Sequence, residues 1–299
     1  MTEAARSARW RAVAVLVLGA CTIAFSPILV RLTTTGPAAA AAWRLGLALP
    51  FLVPLAARGG GIAPPSRLAL VAGVMFALDL GFWHYGVKYT SVGVATLLSN
   101  LAPVVVTAFA WIVLKERPRP AFLLALALAL AGVGLIAAQR RGAPGLDPPL
   151  GDLFSVTTAL WYALYMLAIA QARRRETASA LMLWSSAVGL PLVLAAALLL
   201  GEQILPATPA GWLACLGLGL VHVGGQGAIA WAMGRLPAAV ASVVVLVQPV
   251  LAAFLGWLLF HEAMTALQML GAVVVLVGVV LAQRAAVPPP LSPGSRPAG

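Results

Sequence analysis

Asp79 stands in the middle of a long apolar run, and such a placement is costly unless the carboxyl has a task or a partner. It could contact an ammonium or take a proton. Equally, it could be a buried carboxyl satisfied by a neighbouring hydroxyl or arginine. Trp83 follows four residues later on the same helix face, with Gly86 nearly one turn beyond. A flat indole beside a gap suits an organic substrate, and simple packing is the other reading. His84 lies about 140° from Asp79 around an ideal helix. Both can line one cavity only if the helix bends or the cavity is wide. An imidazole there can donate, accept or titrate, or it can be a core histidine bonded to a carbonyl. Arg44, two turns into its own run, could hold a carboxylate bidentately. It could instead pair with Asp79 or cap carbonyls.

Other polar side chains fall on shared faces. Thr96, Asn100, Pro103 and Thr107 have helical spacing, so their stripe should look inward rather than at lipid. Pro103 leaves a carbonyl without its helical donor at membrane depth. Bonding to another helix and contact with substrate are both open for this stripe. Thr158, Trp161, Tyr162 and Tyr165 share a face too, as a cavity wall or an aromatic belt. His222 and Gln226 lie one turn apart among Gly224, Gly225 and Gly227, which permit either close helix packing or a local break. Glu116 and Glu262 follow Lys115 and His261, and local pairing or capping accounts for them. The substrate-binding candidates are therefore Asp79, Trp83, His84, Asn100, Trp161, Tyr162, Tyr165, His222, Gln226 and Arg44. No residue is assigned to catalysis.

The elements that must position these groups are membrane spans. Only 9% of the 299 residues are charged and 62% are hydrophobic, with mean hydropathy +1.00. A soluble domain carries about a quarter charged residues. This excludes an ordinary cytosolic enzyme, a disordered chain and a nucleic-acid binder. Ten apolar runs are each near the length a bilayer requires: 12–30, 37–57, 68–87, 92–114, 121–138, 152–170, 178–200, 212–234, 238–260 and 265–283. Open backbone cannot face lipid, so these runs are helices. The first run lacks a convincing cleavage site and reads as a span. Residues 1–11 read as a cytoplasmic N-terminal segment, and the Pro-rich 285–299 as a disordered cytoplasmic tail.

The formal charge of +11 orients the chain. With the N-terminus inside, Arg6, Arg9, Arg11, Arg58, Arg67, Lys115, Arg117, Arg119, Arg173, Arg174, Arg175, Arg235, Arg284 and Arg296 are cytoplasmic. Only Arg31, Lys88, Arg140 and Arg141 are opposite. That bias predicts both termini inside, in a plasma or inner membrane. Cys21 and Cys215 lie in apolar runs and imply no disulfide framework. His84, His222 and His261 lack ligand spacing, and no phosphate-binding Gly-Lys-Ser/Thr loop occurs, so no metal, cofactor or ATP drive is expected.

The halves repeat. A shift of 146 carries Val94, Ala95, Pro103, Trp111, Glu116 and Gly132 onto Val240, Ala241, Pro249, Trp257, Glu262 and Gly278, with Thr96 onto Ser242. A shift of 141 carries Trp43, Leu49 and Pro50 onto Trp184, Leu190 and Pro191. Five helices per repeat is odd, so the second copy enters the membrane inverted, as in many transporters. The expected units are 12–141 and 152–284.

Two stretches resemble the EamA family of the drug/metabolite transporter superfamily. GFWHYGVKYTSVGVATLLSNLAPVVVTAFAWIVLKERP (81–118) is similar to its third and fourth helices, and LVHVGGQGAIAWAMGRLPAAVASVVVLVQPVLAAFLGWLLFHEAMT (220–265) to its eighth and ninth. The resemblance implies an all-α membrane protein of ten transmembrane helices in two inverted five-helix repeats around a central cavity. It also implies a carrier of amino acids or other small metabolites. The stretch with Asp79, Trp83 and His84 resembles a bacterial subgroup that includes an aromatic amino acid exporter. The expected partners are a small-molecule substrate and the lipid bilayer, with protons a candidate coupling ion and no nucleic acid. The alternatives are a proton-coupled exporter of lipophilic cations, a membrane-embedded enzyme or a non-transporting scaffold.

Overall fold

The computed structural model describes residues 3–90, 98–113, 115, 117–138, 147–260 and 265–285. Thr96, Val94, Ala95, Glu116, His261, Glu262, Ala263, Arg140 and Arg141 lie outside the described residues, as does the tail from 286. The described chain is helical throughout: α1 (Glu3–Ile23), α2 (Ser26–Leu32), α3 (Pro37–Arg58), α4 (Arg67–Tyr89), α5 (Ala102–Ile112), α6 (Pro120–Ala138), α7 (Pro148–Ala172), α8 (Ala178–Leu199), α9 (Pro209–Val221), a π-helical turn His222–Gln226, α10 (Gly227–Met233), α11 (Ala238–Val245), α12 (Val247–Phe260) and α13 (Ala266–Ala285). Local chemistry sets several starts. Ser66, Asp147, Thr177 and Thr208 each accept a backbone N–H three residues on, opening α4, α7, α8 and α9.

Among the described residues, six helical segments are long and apolar enough to cross a membrane: Arg6–Val30, Pro37–Arg58, Arg67–Gly86, Pro149–Ala172, Ala178–Leu199 and Pro209–Met233. Shorter apolar helices, Ala102–Ile112, Pro120–Ile136, Ala238–Leu251 and Ala266–Ala282, occupy the remaining expected runs. Leu124, Leu213, Leu199 and Val273 stand exposed on the outside, as lipid contact requires, while Leu45, Leu52, Phe76, Tyr165 and Leu181 are buried.

The packing exchanges onto itself when the halves are swapped. α4 lies along α7, and α1 with α2 lies along the α9–π–α10 rod. The Trp43 Nε1 donates to the Ile204 carbonyl at 2.7 Å, and the Trp184 Nε1 to the Ala63 carbonyl at 2.8 Å. The shift of 141 that relates the tryptophans also relates Ala63 to Ile204. Each bond joins the start of one helix to the loop after the other, so α3 and α8 run antiparallel. The α6–α13 crossing behaves likewise. A Cβ on Gly132 would meet Gly271 and Val275, and one on Gly278 would meet Ala125 and Ala129. These partners are again 146 apart, and their order makes the two helices antiparallel.

A clasp joins the halves at the start of α3. Glu202 follows α8, and its carboxylate accepts the Ala38 N–H at 3.3 Å and the Ala39 N–H at 2.9 Å. The Tyr85 hydroxyl donates to the same carboxylate. An acid on free helix N–H groups is favoured by hydrogen bonding and by the helix dipole. Replacing Glu202 with alanine should cost about 1–2 kcal/mol, the loss of a cap plus an unpaired hydroxyl. Thermal unfolding in detergent should show a lowered midpoint, with Glu202→Gln nearer the parent.

Candidate functional site

Three prolines sit at helix breaks within spans, while Pro50 and Pro54 in α3 and Pro191 in α8 lie inside unbroken helices. Proline cannot donate to the carbonyl one turn back and its ring crowds that carbonyl. The interruptions come just before Pro27, Pro103 and Pro249: at Ala24–Phe25, at Asn100–Leu101 and at Leu246. A fourth irregularity, the π-helical turn His222–Gln226, separates α9 from α10. Thus the first, eighth and ninth expected runs are interrupted helices rather than straight rods, and Asn100–Leu101 interrupts the described part of the fourth. Lost backbone bonds at membrane depth are tolerated where protein or a watery cavity meets them.

All four interruptions converge on one cavity of about 160 Å³. A single water needs only roughly 10–15 Å³ on this measure, so the space suits a small metabolite. Its wall takes Ser26 and Pro27 from α2, Arg44 from α3, Asp79, Trp83 and His84 from α4, and Thr158 and Tyr162 from α7. Asn100 and Pro103 come from the fourth run, Gln226 from the π turn, and Gln248 with Pro249 from α12. Both halves contribute.

Several polar atoms here are buried yet find no hydrogen-bond partner among the described residues: Ser26 Oγ, Arg44 Nε and Gln248 Nε2. The His84 imidazole meets the Leu80 backbone one turn back through a hydrogen bond. Buried polar groups are ordinarily paired, so a cluster of open ones asks for a ligand or water. Arg44 is fixed by other means. Its guanidinium carbon lies 5.8 Å from the Phe76 ring centroid, and Asp79 acts on it through the low-dielectric interior. Trp83 and His84 have ring centroids 5.0 Å apart. Asp79 and His84 therefore share one cavity despite their angular separation, because the space extends around the face of α4.

Seven of the ten candidates meet at this wall: Arg44, Asp79, Trp83, His84, Asn100, Tyr162 and Gln226. The other three stand elsewhere. Tyr165 lies behind Phe76, ring centroids 4.7 Å apart, with its hydroxyl 3.7 Å from Met182 Sδ. His222 stacks on the same Phe76 at 5.2 Å and shares a 2.9 Å hydrogen bond with Ser186. Both brace the aromatic plate under Arg44. Trp161 points toward Phe82, 6.2 Å between centroids, with its Nε1 buried and unpartnered among the described residues. Thr107 is buried away from the cavity wall.

Gly225 settles the choice left open for the glycines around Gln226. A Cβ there would press on Ile23 at 2.9 Å, and one on Gly19 would meet the Gly225 carbonyl at 2.8 Å. The eighth run thus both packs closely on the first and breaks. Ser26 and Gln248 were missed by sequence reasoning. The available signal was a polar residue directly before a proline inside a span.

The prolines carry a prediction. Pro103→Ala and Pro249→Ala should let the interrupted helices close, slowing turnover about tenfold with smaller change in substrate affinity. Unchanged turnover in both variants would reduce these prolines to shapers of the resting fold.

Comparison with known proteins supports the same architecture. The model of the EamA-like transporter family matches residues 10–138 and again 149–283. A transporter of Archaeoglobus fulgidus is 25% identical over 224 residues, covering 75% of this chain and 78% of its own. The pseudopaline exporter CntI of Pseudomonas aeruginosa is 26% identical over 238 residues, covering 78% and 82%. A protein of known crystal structure superposes with a TM-score of 0.77 at 19% identity, over 94% of this chain and 99% of that one, which speaks to fold alone. The twofold family match, spread over both halves that build the cavity, establishes that the chain is a multi-pass membrane protein belonging to the EamA-like transporter family.

Proposed function

We propose that the protein exports small organic metabolites, amino acids foremost, by alternating access of the central cavity to the two sides of an inner or plasma membrane. The observation that carries the reading is the cavity itself: walled by both halves, bordered by interrupted helices, and lined in part by buried polar atoms (Ser26 Oγ, Arg44 Nε, Gln248 Nε2) without partners among the described residues. Sites at the interface of inverted repeats, built from discontinuous helices, are a carrier architecture. The repeats proposed are 12–141 and 152–284, rocking against each other. Aromatic Trp83 and Tyr162 offer a flat apolar wall and the polar groups orient the solute, a mixture typical of small-molecule pockets. The relative from Pseudomonas aeruginosa is named as an exporter, which supports the direction. No cofactor is required, and protons are the coupling ion to test.

The direct test is uptake into liposomes holding the purified protein, with a panel of amino acids and a panel of lipophilic cations, each with and without a proton gradient. Amino acid flux is expected. Flux of lipophilic cations alone would replace this reading with the multidrug one, and chemical conversion of the solute would indicate an enzyme. Orientation has its own test. Single cysteines at positions 117 and 174 should label only from the cytoplasm, and one at 203 only from outside; external labelling at 174 would overturn the topology.

A further inference from the structure

Arg44 and Asp79 bring a guanidinium and a carboxyl to the cavity wall, from adjacent helices α3 and α4. Both are buried, at 3% and 7% exposure. An arginine buried only to hold the fold would be expected to have its donors closed by carbonyls or a carboxylate. Here the Nε meets no acceptor among the described residues, Asp79 included. Phe76 lies 5.8 Å from the guanidinium carbon and is itself packed against Tyr165 and His222. A guanidinium with an open Nε suits a planar carboxylate.

An incoming ammonium favours the ionised carboxyl of Asp79, the two side-chain charges then sum to zero, and this constrains what can enter. A solute carrying both an ammonium and a carboxylate leaves each fixed charge matched. An amine alone is drawn to Asp79 and leaves the guanidinium buried and unmatched. An acid alone does the reverse. An uncompensated charge in a desolvated site is the larger penalty. The geometry points to a charge-matched pocket in which the substrate carboxylate docks on Arg44 and its ammonium turns toward Asp79. The transporter thereby selects zwitterions over the amine and the acid that bear the same side chain. This rests on the amino acid reading above and adds the assignment of its two poles.

The experiment uses the full chain in liposomes and two triads of solutes. One is leucine, isopentylamine and 4-methylpentanoate; the other is phenylalanine, phenethylamine and 3-phenylpropanoate. For the parent, uptake of the zwitterion should exceed that of either twin at least about tenfold, since buried polar groups left unmatched discriminate strongly. Arg44→Gln should bring the zwitterion-to-amine ratio to near one, and Asp79→Asn should do so for the zwitterion-to-acid ratio. Arg44→Lys keeps the charge without the fork, so it should slow the zwitterion about tenfold yet retain the preference. Thermal stabilisation of the detergent-solubilised parent by each solute gives the same ranking if a variant does not fold. Equal stabilisation by zwitterion and amine, or a parental ratio in Arg44→Gln, overturns the assignment. If the parent moves amino acids without discriminating their twins, the pole assignment alone has failed. If it moves none of the amino acids in the wider panel, the substrate reading has failed and this assignment with it.

Discussion

Leucine at Gly132 should remove most of the folded protein from the membrane, and leucine at Gly278 should do the same. A Cβ at Gly132 would sit 2.7 Å from the Gly271 carbonyl oxygen and 2.7 Å from the Val275 nitrogen. At Gly278 it would meet the Ala129 nitrogen at 2.7 Å and the Ala125 carbonyl at 2.9 Å. These are backbone atoms of the facing helix, and no side-chain rotation relieves the clash. In lipid there is little hydrophobic drive between helices, so close approach of small residues supplies much of their association. Overpacking a soluble core costs about 1–3 kcal/mol. Forcing apart α6 and α13 also forfeits contacts along their length. The measurement is the monodisperse peak of detergent-solubilised protein on size exclusion, which should fall severalfold. Gly81→Ala is the control, because nothing lies within 4 Å of a Cβ there. A parental peak in both leucine variants would contradict the close crossing.

Truncating Trp83 or His84 to alanine should lower transport at least about tenfold while leaving the amount of protein in the membrane unchanged. Trp83 presents one of the larger aromatic faces on the cavity wall. His84 is 3% exposed and, beyond the Leu80 backbone one turn back, its imidazole keeps a ring nitrogen without a partner among the described residues. A folded chain tolerates such open donors and acceptors best where a solute or water completes them. Losing them should raise the concentration needed for half-maximal flux, and His84→Gln should recover part of it by restoring polar atoms. Parental flux in both alanine variants would show that these side chains do not serve the substrate.

The overall architecture was legible in the sequence because lipid imposes a coarse rule. Spans must be long, apolar and helical, and basic residues mark the connections. The repeat was legible through rare residues: Trp43 and Trp184 align at a fixed shift, and the structure shows each reaching across to an equivalent carbonyl. The polar candidates were few enough that most fell on one wall. What escaped was depth within a helix bundle. The spacing of Tyr165 with Tyr162 correctly puts them on one side of α7, but spacing does not tell which ring meets the cavity and which lies behind Phe76. Sequence spacing sets His222 one turn from Gln226, with the glycines between permitting either close packing or a local break. The π turn alters that register, and Ser186 takes the imidazole instead. Ser26 and Gln248 were passed over because an isolated polar residue in an apolar run carries no periodic signal.

The central claim is a carrier whose one cavity opens alternately to each side. Counterflow tests it most directly: liposomes holding the protein are preloaded with unlabelled substrate and then given a trace of the labelled solute outside. An alternating carrier must return with its cavity filled from within, so labelled uptake should accelerate, overshoot its equilibrium level and saturate with concentration. Uptake that rises linearly with concentration and shows no overshoot, from protein shown to be folded and inserted, would contradict the account.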